Sequence, residues 1–359
     1  MKTLVIAPQW IGDAVMAEPL LRLLHAQGQR LTIGALPWVA PVFEAMPDVV
    51  DRVIALPFAH GGLQLKARLD WARQLKTLHF ECAYVLPNSF KSGLLPWLAR
   101  IPRRVGYLGE ARYGLLTHWR ANPAKSTPPG AITGNARKTP DKPPMVAFYA
   151  ALANLGVEKH AFSTLAQLPN PQLQISSQQI QTALKTFGLQ QGSYTVFAPG
   201  AEYGPAKRWP LRHFAALAGL LAQPVVLLGS AKEAVDCETI AAAAGSSAQC
   251  LNLAGKTPLL QAMALIAGSA GVVSNDSGLM HVAAALGVPQ AAVFGSSSPL
   301  HTPPLNRRAA VLWLKNDQAY QPPLDCAPCF ARVCPLGHLR CLNDIEPERV
   351  QHALLAIAR

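Results

Sequence analysis

The sequence predicts an α/β protein made of two βαβ domains that face each other across a central cleft. Short β-branched or apolar runs alternate with amphipathic stretches of helical length, as parallel strands covered by helices require. The series runs twice, with the linker-like LPNPQLQ (168–174) between the two runs. The length of 359 residues, at roughly 150 per domain, accommodates two domains. The expected division is 1–168, 169–345 and a closing segment 346–359.

In the first run the expected strands are Thr3–Ala7, Leu31–Ala35, Arg52–Leu56, Ala83–Leu86 and Arg104–Tyr107, each short, apolar and bounded by turn residues. Helical spacing marks Ala14–Ala26, Lys66–Leu78 and Ser92–Ala99 between them, and Met145–Leu155 closes the domain. Asn122–Pro144, rich in Pro, Gly, Thr and Lys without apolar period, reads as a long surface loop. The second run opens with a helix near Gln178–Phe187. Strands follow at Thr195–Ala198, Val225–Leu228, Gly271–Ser274 and Ala291–Phe294, with helices at Leu211–Ala222, Lys232–Ala244, Pro258–Ala267 and Leu279–Leu286. A last helix, Pro347–Ala358, completes the chain.

Hydrophobic residues make up 50% of the chain and charged ones 14%, which excludes wholesale disorder. The formal net charge of +12 calls for an anionic partner: nucleotide, nucleic acid, acidic glycolipid or membrane surface. The opening MKTLVIAPQWIGD carries Pro8, Gln9 and Asp13 where a signal peptide needs an unbroken apolar run, so a cytoplasmic protein is expected. Phe214–Gly229 and Val282–Gly295 are interrupted before they reach the ~20 residues of a membrane span. Seven cysteines argue against a secreted disulfide framework.

In an open α/β sheet the ligand sits beyond the carboxyl ends of the strands, so the chemistry is sought in the loops that follow them. Asp13 ends the first such loop, PQWIGD, and two readings compete: a helix cap, or a general base that takes a proton from an incoming hydroxyl. In VFAPGAEYGPAKRWP (196–210), Lys207 arrives just before a helix N-terminus, where orphan amides and a point charge suit a phosphate. A solvated basic turn is the plainer reading. In GVVSNDSGLMHVAAALGVPQAAVFGSSSP (271–299), Asp276, Ser277 and Gly278 lie between strand and helix and His281 falls in the first helical turn, beside anything the amides bind. Neither GxGxxG nor GxxxxGK[ST] occurs where it should, which argues against a dinucleotide dehydrogenase or a P-loop NTPase and favours a sugar nucleotide. In the first domain, Lys91, Arg103, Arg104, Arg112 and Arg120 concentrate in 88–120 and read as a site for an anionic acceptor or as solvated surface charge. No nucleic-acid-binding motif accompanies them, so no nucleic acid partner is expected. Cys326, Cys329, Cys334 and Cys341, with His338 among them, read either as zinc ligands or as structural thiols, and a zinc ion there would be structural and far from the chemistry.

Four motifs, WIGDAVM (10–16), LPNSFKSGL (86–94), PGAEYGPAKRWP (199–210) and NDSGLMHVAAALGVP (275–289), resemble the ADP-heptose:lipopolysaccharide heptosyltransferases of glycosyltransferase family 9, over nearly the whole chain. The resemblance implies a GT-B fold of two Rossmann-like domains and inverting transfer with neither a metal nor another cofactor. It implies an ADP-heptose donor and an inner-core lipopolysaccharide acceptor, with the enzyme peripheral at the inner leaflet. Carried over by position, Asp13 matches the catalytic base and Lys207 the lysine that contacts the donor phosphates. Asp276, Ser277, Gly278 and His281 match the donor-binding D-[ST]-G-x-x-H pattern, and Glu233 an acidic residue at the ribose. The closing helix is then expected to pack back on the first domain. A family relative acting at another core position, or a noncatalytic anion or nucleic-acid binder, are the alternatives.

Overall fold

The computed structural model describes residues 1–58, 62–123, 142–154, 167–245 and 248–358. It divides into two compact units, the first ending at Pro171 and the second beginning at Gln172, slightly beyond the division expected at Leu168.

The first unit is a six-stranded sheet in the order β3-β2-β1-β4-β5-β6. Its strands are β1 (Lys2–Ile6), β2 (Arg30–Ala35), β3 (Arg52–Ala55), β4 (Cys82–Val85), β5 (Arg103–Leu108) and β6 (His118–Ala121). Every pairing is parallel. Its helices are α1 (Ile11–Met16), α2 (Glu18–Ala26), α3 (Ala40–Glu44), α4 (Leu65–Thr77), α5 (Phe90–Leu98) and α6 (Met145–Ala150). The single helix expected over Ala14–Ala26 is two, because Pro19 near the start of α2 has no N–H to continue the bonding of α1. Most of the Asn122–Pro144 loop and the end of the Met145–Leu155 helix lie outside the described residues.

The second unit contains α7 (Ser177–Phe187), β7 (Thr195–Ala198), α8 (Leu211–Leu220), β8 (Val225–Leu227), α9 (Ala234–Ala243), β9 (Cys250–Asn252), α10 (Leu259–Ala267), β10 (Gly271–Asn275), α11 (Gly278–Ala285), β11 (Gln290–Val293), β12 (Ala309–Leu312), α12 (Arg340–Asn343) and α13 (Pro347–Ala358). Its sheet order, β12-β11-β10-β7-β8-β9, is the order of the first unit repeated with six added to each strand number and read from the other edge. Each sheet therefore reverses strand order at one place, β1/β4 in the first and β7/β10 in the second, and a crevice opens there at the strand ends. β7, β10 and β11 are buried throughout, and Phe197, Val273 and Val293 join Trp209, Phe214 and Leu217 in one core.

The closing helix differs from expectation. α13 packs on α8 and against β10, β11 and β12, with Val350 and Leu354 in the core of the second unit. The Leu354 side chain would touch a Cβ at Gly271, so the helix seats closely on the start of β10. Its apolar face is thus used within its own unit.

Candidate active site

In the second unit, the loop after β7 folds back over the end of β10. Asn275 ties the two together: its side-chain amide donates to Pro199 O at 2.6 Å, and its carbonyl accepts from Trp209 N at 2.9 Å. Trp209, fully buried, donates from Nε1 to Ile345 O at 2.9 Å and anchors the end of the loop in the core. The short 3-10 turn Pro205–Lys207 is thereby held in place, and Lys207 Nζ meets Asp276 Oδ2 at 2.5 Å. Asp276 also accepts from Thr302 Oγ1 at 3.2 Å. This buried ion pair spans the β7/β10 switch point.

Ser277 is the residue before α11, but its side chain makes no cap hydrogen bond. Its buried hydroxyl, like those of Ser296 and Ser297 in the loop after β11, has no partner among the described residues. Three such hydroxyls beside a helix N-terminus and an ammonium form a donor-rich cradle for phosphate oxygens. His281, in the first turn of α11, is buried; desolvation pushes its pKa down to about 4, with Lys207 acting in the same direction and Asp276 opposing. It is neutral at pH 7. Glu233 reaches the same edge from the loop after β8, where Oε2 accepts from Ser230 N at 2.6 Å. A Cβ on Gly200 would lie 1.7 Å from Glu233 Oε1, which explains the glycine in PGAEYGP.

In the first unit, Asp13 sits in the first turn of α1, just beyond β1. Trp10 is the N-cap residue, so Asp13 is not the cap that its position in sequence allows. Instead its carboxylate accepts a hydrogen bond from Tyr149, whose phenol is held well above its usual pKa by burial first and by Asp13 second. Tyr149 comes from α6, and its neighbour Phe148 stacks on Tyr107 at 4.0 Å between ring centroids.

The five basic residues predicted for the acceptor do not act alike. Lys91 is half-buried and lines a cavity at the strand ends. Arg112 is fully buried and binds Pro87 O at 2.6 Å, Tyr107 O and Ser92 Oγ at 3.1 Å; desolvation lowers its pKa to about 10. It holds the NSFKS loop in shape and has no surface to offer a ligand. Arg103 and Arg104 begin β5, level with Cys82 and Ala83 at the start of β4. In a parallel sheet that is the edge opposite Asp13, and Arg104 is spent on Leu115 O at 2.7 Å and Ile101 O at 2.6 Å. Burial of Arg112, and the placement of Arg103 and Arg104 at the far edge, leave the acceptor reading of these three without support from the geometry. Arg120, on the edge strand β6, donates to Asn154 O at 3.1 Å.

Cys326, Cys329, Cys334, Cys341 and His338 line one small cavity, and burial followed by the neighbouring thiols pushes Cys341 up to about 12. All seven cysteines are free, and among the described residues no three His, Cys, Asp or Glu side chains stand where they could hold one metal ion. Nor is the cluster remote from the site, because Ala206 and Ser296 line the same cavity. Arg332 O, in this segment, accepts from Ala206 N at 3.1 Å, and Arg332 Nε donates to Tyr203 O at 2.8 Å. Thr302, Tyr203 and Ser296–Ser297 were missed as site residues; their signal was their place in loops just after β7 and β11.

The sequence profile of glycosyltransferase family 9 (heptosyltransferase) matches residues 68–339. The chain is 40% identical to lipopolysaccharide heptosyltransferase 2 of Escherichia coli K12, over 99% of this chain and 98% of that one. It is 38% identical to lipooligosaccharide heptosyltransferase 2 of Haemophilus ducreyi, again over 99% and 98%. Among solved structures, E. coli ADP-heptose lps heptosyltransferase II matches with a TM-score of 0.82 and 38% identity, covering 100% of this chain and 98% of that one. A family 9 glycosyl transferase from Veillonella parvula matches with a TM-score of 0.77 at 20% identity, covering 99% and 97%, a likeness of fold.

Proposed function

The chain belongs to glycosyltransferase family 9, the heptosyltransferases, and on that premise we propose that it transfers L-glycero-D-manno-heptose from ADP-heptose to the first inner-core heptose of lipopolysaccharide, heptosyl-Kdo2-lipid A. The observation that carries this reading is the buried Lys207–Asp276 pair beside the unpaired hydroxyls of Ser277, Ser296 and Ser297, a cradle suited to a nucleoside diphosphate at the switch point of the second sheet. The second unit is then the donor unit and the first the acceptor unit.

In one displacement, the acceptor hydroxyl oxygen bonds to the anomeric carbon as the bond from that carbon to the diphosphate oxygen breaks, which inverts the centre. Asp13 receives the hydroxyl proton. Charge gathers on the departing ADP, where Lys207 and the amides at Ser277–Gly278 stabilise it, so the scheme calls for no metal. Asp276 positions Lys207, His281 as a neutral imidazole lines the cradle, and Glu233 accepts from the ribose hydroxyls.

A lipid-linked acceptor and the net charge of +12 support a cytoplasmic enzyme peripheral at the inner face of the inner membrane. Among the described residues no helix is long and apolar enough to cross a membrane. The test is ADP release from ADP-heptose with and without heptosyl-Kdo2-lipid A. Acceptor-dependent release with a diheptosyl product is expected; transfer only to an acceptor lacking the first heptose would move the protein to another core position.

A further inference from the structure

At the carboxyl edge of the first sheet, the ends of β1, β2 and β4 and the loop after β3 enclose a cavity lined by Gln9, Ser89, Lys91 and Arg68, with Phe58 beneath. Arg68, near the start of α4, is only 5% exposed. Its guanidinium lies 4.4 Å from the centre of the Phe58 ring, and Nε donates to Leu63 O at 2.7 Å. Among the described residues its two terminal amino groups have no acceptor and no carboxylate pairs with it. Lys91, on the other wall, likewise has no acidic partner among the described residues.

A guanidinium stays charged in any protein environment, and a buried cation without a counter-charge is costly to keep. Burial lowers the pKa of Arg68, as that cost requires. The stem is fixed by the ring and by the Leu63 carbonyl, so the free face of the fork is already oriented. It shares a cavity with a second cation and with the polar side chains of Gln9 and Ser89.

We propose that Arg68 and Lys91 form an anion subsite that binds one phosphate or carboxylate group of the acceptor saccharide. Both chemistries match the planar fork of Arg68, with Lys91 as a second point charge. Arg68 lay outside the basic run that the sequence singled out, since it is one of four basic residues spread along an amphipathic helix, with Lys66, Arg73 and Lys76.

The proposal rests on the first unit being the acceptor unit, so its test includes a measurement that needs no turnover. Acceptor KM and equilibrium binding of the acceptor saccharide are measured for the wild type, Arg68→Met, Arg68→Lys and Lys91→Met. Three acceptors are used: native, dephosphorylated and carboxyl-esterified. Arg68→Met should weaken the native acceptor about 10- to 100-fold while ADP affinity holds, the span of a charge-assisted hydrogen bond to a desolvated anion. Arg68→Lys should restore part of it. The half-exposed Lys91→Met, which does not endanger folding, should weaken it by a smaller factor in the same sense. The penalty should vanish with whichever stripped acceptor lacks the recognised group, and that identifies the anion. Unchanged acceptor affinity in folded Arg68→Met and Lys91→Met, or an equal penalty on all three acceptors, overturns the proposal and leaves Arg68 as a packing residue. If the wild type binds the acceptor with this dependence on Arg68 and Lys91 yet releases no ADP, the transferase reading fails and the subsite stands.

Discussion

Replacing Lys207 with methionine separates what the Lys207–Asp276 pair does for folding from what Lys207 does for the donor. The pair is close, 2.5 Å, and its side chains are 18% and 4% exposed, so water does little to screen it. Removing one partner of a buried pair costs about 3–5 kcal/mol, because the other charge remains buried. Thr302 Oγ1 still donates to Asp276, which favours the lower end of that range. For a unit of this size each kcal/mol moves the melting temperature by roughly 2–4 °C, so Lys207→Met should lower the transition of the second unit by about 6–12 °C. It should also weaken ADP about 10- to 100-fold, as expected for the loss of a charged contact of ~1.5–3 kcal/mol. Lys207→Met with Asp276→Asn removes both charges and should recover most of the stability but none of the ADP affinity. Differential scanning calorimetry reads the first quantity and titration calorimetry the second. A single variant melting within about 1 °C of the wild type, or a double variant that regains ADP binding, would refute the reasoning.

At the proposed base, Asp13→Asn should lower turnover by ~10²–10⁴ with little loss of ADP affinity. Tyr149→Phe removes the donor that favours the ionised Asp13 carboxylate, so the acid limb of kcat/KM should move to higher pH; an unmoved limb would mean that Asp13 is not the group titrating there. Neutralising Arg103 and Arg104 together should leave acceptor KM unchanged while lowering the melting temperature, since Arg104 binds Leu115 O and Ile101 O at the far edge of the sheet. A raised acceptor KM would return them to the site. His281 is depressed from 6.5 to about 4 by burial, so the unfolded chain binds its proton first as pH falls. The resulting stability, about 3 kcal/mol, is fully present above pH 6.5 and lost as pH falls through 4. His281→Gln should flatten that part of the denaturation profile, and an unaltered slope in urea titrations between pH 6.5 and 4 would count against it.

The strands legible in the sequence include every one buried on both faces, because a continuous apolar run such as Val272-Val273 or Ala83-Tyr84-Val85 marks them unaided. The three that were missed, β6, β9 and β12, are edge strands of three or four residues whose side chains are mostly half-buried or exposed; β6 and β9 carry no apolar run, whereas β12 carries one, AAVL, that was passed over. The donor half of the candidate site was legible for the same kind of reason, since Asp276, Ser277 and His281 fall within one strand-turn-helix unit. Tertiary contacts were not legible. The partner of Asp13 is Tyr149, 136 positions on and in another helix. The burial of Arg112 depends on the NSFKS loop closing over it. A run of basic residues records composition only, whereas the sheet assigns Lys91 to one edge and Arg103 and Arg104 to the other.

The repeated strand order gives the two units equivalent crevices, and their charges are managed in opposite ways. In the second, the lysine at the end of the β7 loop is neutralised by the aspartate at the end of β10. A diphosphate entering there must compete with an existing ion pair, and its favourable terms are the surplus donors: the α11 amides and the buried hydroxyls of Ser277, Ser296 and Ser297. On the proposed function, affinity for the donor would thereby be moderated, which suits a site that must release ADP after each transfer. In the first, Arg68 and Lys91 face a cavity with no acidic partner among the described residues, so an anionic acceptor meets charge that nothing else offsets. Salt dependence should accordingly be steeper for acceptor than for donor, since long-range attraction to uncompensated cations is screened within about 10 Å at 0.1 M salt, whereas a neutralised pair exerts little field at that range.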